Sequence, residues 1–94
     1  MKFAFVTVAS PVIEAKRRKT MPYNRKKLGI VISRLRIDRG LSQETLSALS
    51  GIARSHLAMI ELGKKIPRTD TIWSIAEALN IKLSDLISLI ENEP

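Results

Sequence analysis

From Asn24 onward the apolar positions recur with a helical period. Leu28, Ile32 and Leu35 stand at i, i+4 and i+7, with Val31 and Arg39 beside them, which lays one buried stripe along a helix that Asn24 can cap. Gly40 is expected to close it, because a last turn in the left-handed conformation costs least without a side chain. Ser42 then offers an oxygen to cap a second helix, with Gln43 and Glu44 in its first turn and Leu46 and Leu49 on a shared face. Gly51 stops that helix. After Gly51-Ile52-Ala53 the spacing predicts a third helix from about Arg54 to Leu62, with Leu57 and Ile60 buried and Gly63 at its end. Lys64, Lys65 and Pro67 read as a loop. Thr69 opens a fourth helix carrying Ile72, Ile75, Ala76 and Leu79, and a last helix spans about Leu83 to Ile90.

The first 23 residues differ in kind. Phe3 to Val8 is aromatic and β-branched, which suits a short strand, yet nothing nearby offers a partner strand. Lys16, Arg17, Arg18 and Lys19 follow between Pro11 and Pro22 and read as a basic arm. Met21 is an alternative start. The chain therefore divides into an extension over 1–23 and one all-α domain over 24–91, since 94 residues cannot support two independent cores.

Composition narrows the function. The hydrophobic share is 45% but the aromatic share only 4%, which fits a small aliphatic helical core. No run approaches the roughly 20 apolar residues of a membrane span, and Phe3 to Ala9 is a poor match to a secretory signal. Cysteine is absent, so disulfides, thiol nucleophiles and Cys-based zinc sites are excluded, and a cytoplasmic location is expected. His56 is the only histidine and has no neighbouring ligand, so no metal site or cofactor is expected. Nor is there a nucleophile elbow, a paired-carboxylate motif or a phosphate-binding glycine loop, and the reading is of a protein that is not an enzyme. The charge is asymmetric: residues 1–40 hold eleven Lys or Arg against Glu14 and Asp38, whereas residues 41–94 hold five against seven acids. Such polarity points to a polyanionic partner, because Lys and Arg near phosphates release condensed counterions.

Residues 42–62 combine a capped short helix, a glycine turn and a second short helix. A steep crossing over so short a turn needs Gly at the bend and small residues where backbones approach, and Gly51 and Ser47 supply both. The second helix then projects Ala53, Arg54, Ser55 and His56 outward, donors with little bulk that suit a major groove. His56 is read as a groove-edge contact or as partly packed. Lys64, Lys65 and Arg68 follow in a loop that can reach phosphates or remain solvated.

The string Leu41-Ser42-Gln43-Glu44-x-Leu46, Gly51-Ile52, Leu57-x-x-Ile60-Glu61-x-Gly63, Pro67, Thr71-Ile72 and Ile75-Ala76-x-Ala78-Leu79 resembles the Cro/CI-type (XRE) helix-turn-helix family over about residues 25–90. The resemblance implies a five-helix, lambda-repressor-like domain whose third helix reads bases while Gln43 and nearby amides hold phosphate. It puts base contacts at Ala53, Arg54, Ser55 and Met59, and a structural ion pair at Arg36 and Glu61. Arg54 can give guanine a bidentate pair, with a phosphate contact or plain solvation as its other reading. Ala53 departs from the family's usual Ser or Thr cap, and Leu62 replaces a usual polar residue.

The expected activity is sequence-specific binding of double-stranded DNA, as a homodimeric repressor on a palindromic operator and without a small-molecule ligand. The alternative is an antitoxin or coactivator-like adaptor on the same fold. Leu83, Leu86, Ile87, Leu89 and Ile90 exceed what one face of a short helix buries, so a dimer seam is expected near Trp73, Ile87 and Ile90.

Overall fold

The computed structural model describes residues 24–94, and in them five helices are joined by short turns. The strand expected over Phe3 to Val8 and the basic arm Lys16 to Lys19 lie outside the described residues. Helix α1 runs Arg25–Asp38. Its start is fixed by Asn24, whose Oδ1 accepts from the backbone N–H of Lys26 at 2.8 Å and of Lys27 at 3.2 Å, two donors that otherwise have no intrahelical partner. Helices α2, Gln43–Ser50, and α3, Arg54–Glu61, follow. Ser42 caps α2 through Oγ, which accepts from Thr45 N at 3.0 Å. At the other end Gly51 takes φ 73°, and the Ile52 N–H returns to Ser47 O at 3.0 Å. That left-handed residue turns the chain sharply from α2 into α3.

Ala53 stands at the start of α3 without a side-chain cap, so the first amides of that helix face outward unpaired by their own chain. Helix α3 closes through Leu62 and Gly63. Helix α4, Thr69–Ala78, and helix α5, Leu83–Glu91, complete the bundle. Asn80 closes α4 with φ 58°. Asparagine tolerates the left-handed region better than most residues, so a stop forms there without glycine.

The core is aliphatic. Leu28, Val31 and Ile32 of α1 meet Leu46 of α2, Leu57 and Ile60 of α3, Ile72, Ile75 and Ala76 of α4, Leu79, and Leu86 and Ile90 of α5. Helix α1 packs on α3 and α5, α2 on α3 and α4, and α4 on α5, so α3 is held from behind by two other helices. Cutting Leu57 to Ala removes contacts common to these helices, a change that typically costs about 2–5 kcal/mol. Among the described residues no helix is long and apolar enough to cross a membrane.

Candidate nucleic-acid interface

Helix α3 divides its residues by period. Leu57 and Ile60 are fully buried, whereas Ala53, Arg54 and Ser55 are exposed and Met59 retains 39% of its surface one turn further on. The apolar stripe thus sets the outward face to Arg54, Ser55 and Met59, with His56 half-buried at the margin. Lys64 and Lys65 extend from the exit of α3 into solvent, and the buried Pro67 ties the loop down. Arg68 is exposed and lies 3.7 Å from Asp70, a distance and exposure at which an ion pair holds little.

Behind this face, one cluster joins three elements. Arg36 Nε donates to Glu61 Oε2 at 2.7 Å and its Nη2 to Oε1 at 3.0 Å, while Nη1 donates to Leu41 O at 2.9 Å. The side chains of Arg36 and Glu61 are only 14% and 6% exposed. The carboxylate hydrogen bond raises the Arg36 guanidinium further above its already high ordinary value, so the pair stays charged. A fork-to-fork geometry of this kind fixes orientation as well as distance. Removing one partner leaves the other charge enclosed, which costs about 3–5 kcal/mol at the fully buried limit. Gln43 is drawn into the same cluster: its Nε2 donates to Glu61 Oε1 at 2.9 Å. One amide hydrogen is thereby used inward and one is left for an outside acceptor.

Three further residues of consequence have weak signatures in the sequence. Gly29 sits in the middle of α1, where a Cβ would run into the carbonyl oxygen of Glu61 and would lie 2.6 Å from that of Ile60. The signal was the glycine itself, since Gly inside a helix costs about 1 kcal/mol relative to Ala and calls for a packing reason. Arg34 grips Glu93 with two hydrogen bonds of 2.9 Å, joining α1 to the residues after α5. Arg39 Nε donates to Leu79 O at the end of α4. Long-range partners of this kind have no sequence spacing to announce them.

The carboxy-terminal surface differs from the expectation at one residue. Ile90 is 1% exposed and belongs to the core of its own domain, so it is not available to a partner. Its place on α5, four residues after the buried Leu86, turns it inward. Trp73 is 54% exposed, Leu89 43%, and Ile87 half-buried. Trp73, Ala76, Ile81, Leu83 and Ile87 line an open apolar groove between α4 and α5.

A helix-turn-helix family model matches residues 32–86. The chain is 33% identical over 70 residues to the uncharacterized HTH-type transcriptional regulator y4dJ of Sinorhizobium fredii, covering 74% of this chain and 91% of that protein. It is 36% identical over 61 residues to the ImmF control region 10 kDa protein of Bacillus phage phi105, covering 65% and 68%. Among solved structures it is similar to the restriction-modification controller protein C.AhdI from Aeromonas hydrophila, with TM-score 0.65, 39% identity, and 66% of this chain and 94% of that chain covered. The clp gene regulator ClgR from Corynebacterium glutamicum shares the lambda-repressor-like fold at TM-score 0.69 and 22% identity, covering 78% of this chain and 76% of that one.

Proposed function

This chain belongs to the Cro/CI-type (XRE) helix-turn-helix family of DNA-binding transcriptional regulators, and from that premise we propose that it is a repressor that binds a palindromic operator as a homodimer. The observation that carries the reading is the outward face of α3, where Arg54 and Ser55 stand exposed on a helix whose back is locked into the core. Arg54 gives guanine O6 and N7 a bidentate pair, Ser55 bonds whichever base edge it meets, and Met59 lies against a thymine methyl. Ala53 leaves room for the helix start to approach the bases. Lys64, Lys65, Arg68, the margin residue His56 and the outer amide hydrogen of Gln43 hold phosphates on either side.

The dimer seam is the α4–α5 groove, lined by Trp73 and Ile87. Exposed apolar surface of this kind is covered most economically by a second copy, because a two-fold contact buries the same patch twice and matches the symmetry of a palindrome. Two recognition helices then enter successive major grooves about 34 Å apart. The 39% identity to a restriction-modification controller protein supports a regulatory role.

Selection of bound sequences from random DNA tests the reading directly. The expected pool is a two-fold symmetric motif, and a pool without sequence preference overturns it. Occlusion is tested by placing the selected motif across a promoter in a transcription assay, where repression is expected and activation contradicts the repressor assignment.

A further inference from the structure

Resting on the DNA-binding reading above, we propose that Arg25 and Lys26 of α1 join Lys64 and Lys65 in one cationic site that grips the sugar–phosphate backbone of the bound DNA. The site is built from two elements far apart in sequence. At Gly63 an added Cβ would lie 3.1 Å from Lys26 Cα, 3.2 Å from its Cγ and 3.6 Å from Arg25 O. The backbone there also has φ 76°, so glycine is needed both for the turn and for the approach of α1. Lys64 and Lys65 follow immediately. Arg25 lies one helical turn before Gly29, on the side of α1 that meets the Ile60 and Glu61 carbonyls, and helical side chains lean toward the amino terminus. Arg25 is exposed there, with its carbonyl oxygen close to the Gly63 turn. Contact through Gly29 and the Arg36–Glu61 pair makes α1 and α3 one rigid block, so the cations stand at a set distance from the recognition helix.

Among the described residues these four cations have no ion-pair partner within 4.0 Å. Among the described residues the ion pairs are Arg34–Glu93, Arg36–Glu61 and Arg68–Asp70, and none involves Arg25, Lys26, Lys64 or Lys65. The first turn of α1 contains no acidic residue, and cations at that end oppose the helix dipole. Asn24 already occupies the Lys26 and Lys27 amides, so the side chains carry the interaction. Four like charges on adjoining segments, unpaired among the described residues, weaken the free protein and strengthen its attraction to a polyanion. Lys27, next in sequence, differs: it is half-buried and contributes to the field that lowers the Glu93 pKa. It supplies a control of equal charge.

The test is a salt titration of the full chain on its selected DNA sequence, comparing wild type, Arg25→Gln with Lys26→Gln, and Lys27→Gln. The slope of log K against log salt is expected to become shallower by about 0.9 for each lost contact, hence by about 1.8 per protomer in the double variant. Affinity for specific and random DNA should fall by the same factor, and Lys27→Gln should leave the slope unchanged. Where the double variant melts early, Lys26→Gln alone keeps the stem that packs on Gly63 and should shallow the slope by about 0.9 per protomer. An unchanged slope overturns the proposal, as does an equal change in Lys27→Gln, which would reveal an effect of net charge. A wild type that binds no DNA removes the DNA-binding reading itself, and the proposal with it.

Discussion

At the scale of single residues, Arg54 and Gly29 act in opposite ways. Arg54 is exposed and packs against nothing that the fold requires, so Arg54→Ala should leave the melting temperature nearly unchanged. As a base-reading residue it should instead relax one operator position, with a loss of about 1–3 kcal/mol of discrimination there. Binding measured across single-base operator variants decides this; a uniform loss over all sequences would identify a phosphate contact. Gly29 touches no DNA in the proposed arrangement, yet it sets how closely α1 approaches α3. Gly29→Ala gains about 1 kcal/mol of helix propensity, but its methyl group meets backbone carbonyls that have no rotamer to change. A net destabilisation of about 1–3 kcal/mol is expected, the range for overpacking. Denaturant unfolding measures it, and an unchanged or raised midpoint would show that the two helices can separate freely.

At the scale of elements, the helices are closed by local chemistry but oriented by distant partners. The Arg34–Glu93 clasp joins α1 to the segment after α5 and contributes to the setting of α5 beside the groove. The Glu93 carboxyl is held below its ordinary value of 4.5, first by the hydrogen bond from Arg34 and also by its charge. A carboxylate lowered on folding stabilises the folded state above its unfolded pKa, and that contribution is lost as pH falls through the lower folded value. Solvent screening at the half-exposed Arg34 guanidinium keeps the effect small, although the Glu93 side chain is only 12% exposed. Wild type should therefore exceed Arg34→Gln in unfolding midpoint at pH 7, and the gap should narrow as pH falls below 4.5. A gap of the same size at pH 3 would assign the Arg34 effect to packing of its stem. The exposed start of α3 follows a similar division of labour: Ala53 gives up a cap worth about 1 kcal/mol and leaves the helix open to an approaching base pair or phosphate.

At the scale of the whole molecule, the proposed DNA-binding and dimer surfaces are different ones. The α3 face and its exit loop are polar and cationic, whereas the α4–α5 groove is apolar and lined by Trp73 and Ile87. A carboxylate placed in that groove should block assembly without unfolding the monomer, because Ile87 is only half-buried there. Sedimentation of wild type at tens of micromolar is expected to give a dimer, and Ile87→Glu a folded monomer with weakened operator binding. A fully dimeric Ile87→Glu variant, or a monomeric wild type in the absence of DNA, would remove the proposed seam.

Much of this fold was legible in local sequence. Asn24 and Ser42 cap the expected helices, Gly51 and Gly63 adopt the left-handed turns, and Leu28, Ile32, Leu46, Leu57, Ile60 and Ile75 face inward, because capping, turn geometry and periodic burial depend on residues a few positions apart. The tertiary structure decided what depends on which helix lies beside which. It turned Ile90 into its own core, gave Gly29 its close neighbours, drew Gln43 to Glu61, and brought α1 to the end of α3 beside Lys64 and Lys65. A sequence period specifies that a face is apolar but not how much of it a neighbouring helix covers. Residues 40 positions apart, such as Arg39 and Leu79, acquire a shared hydrogen bond only when packing sets the helix crossings.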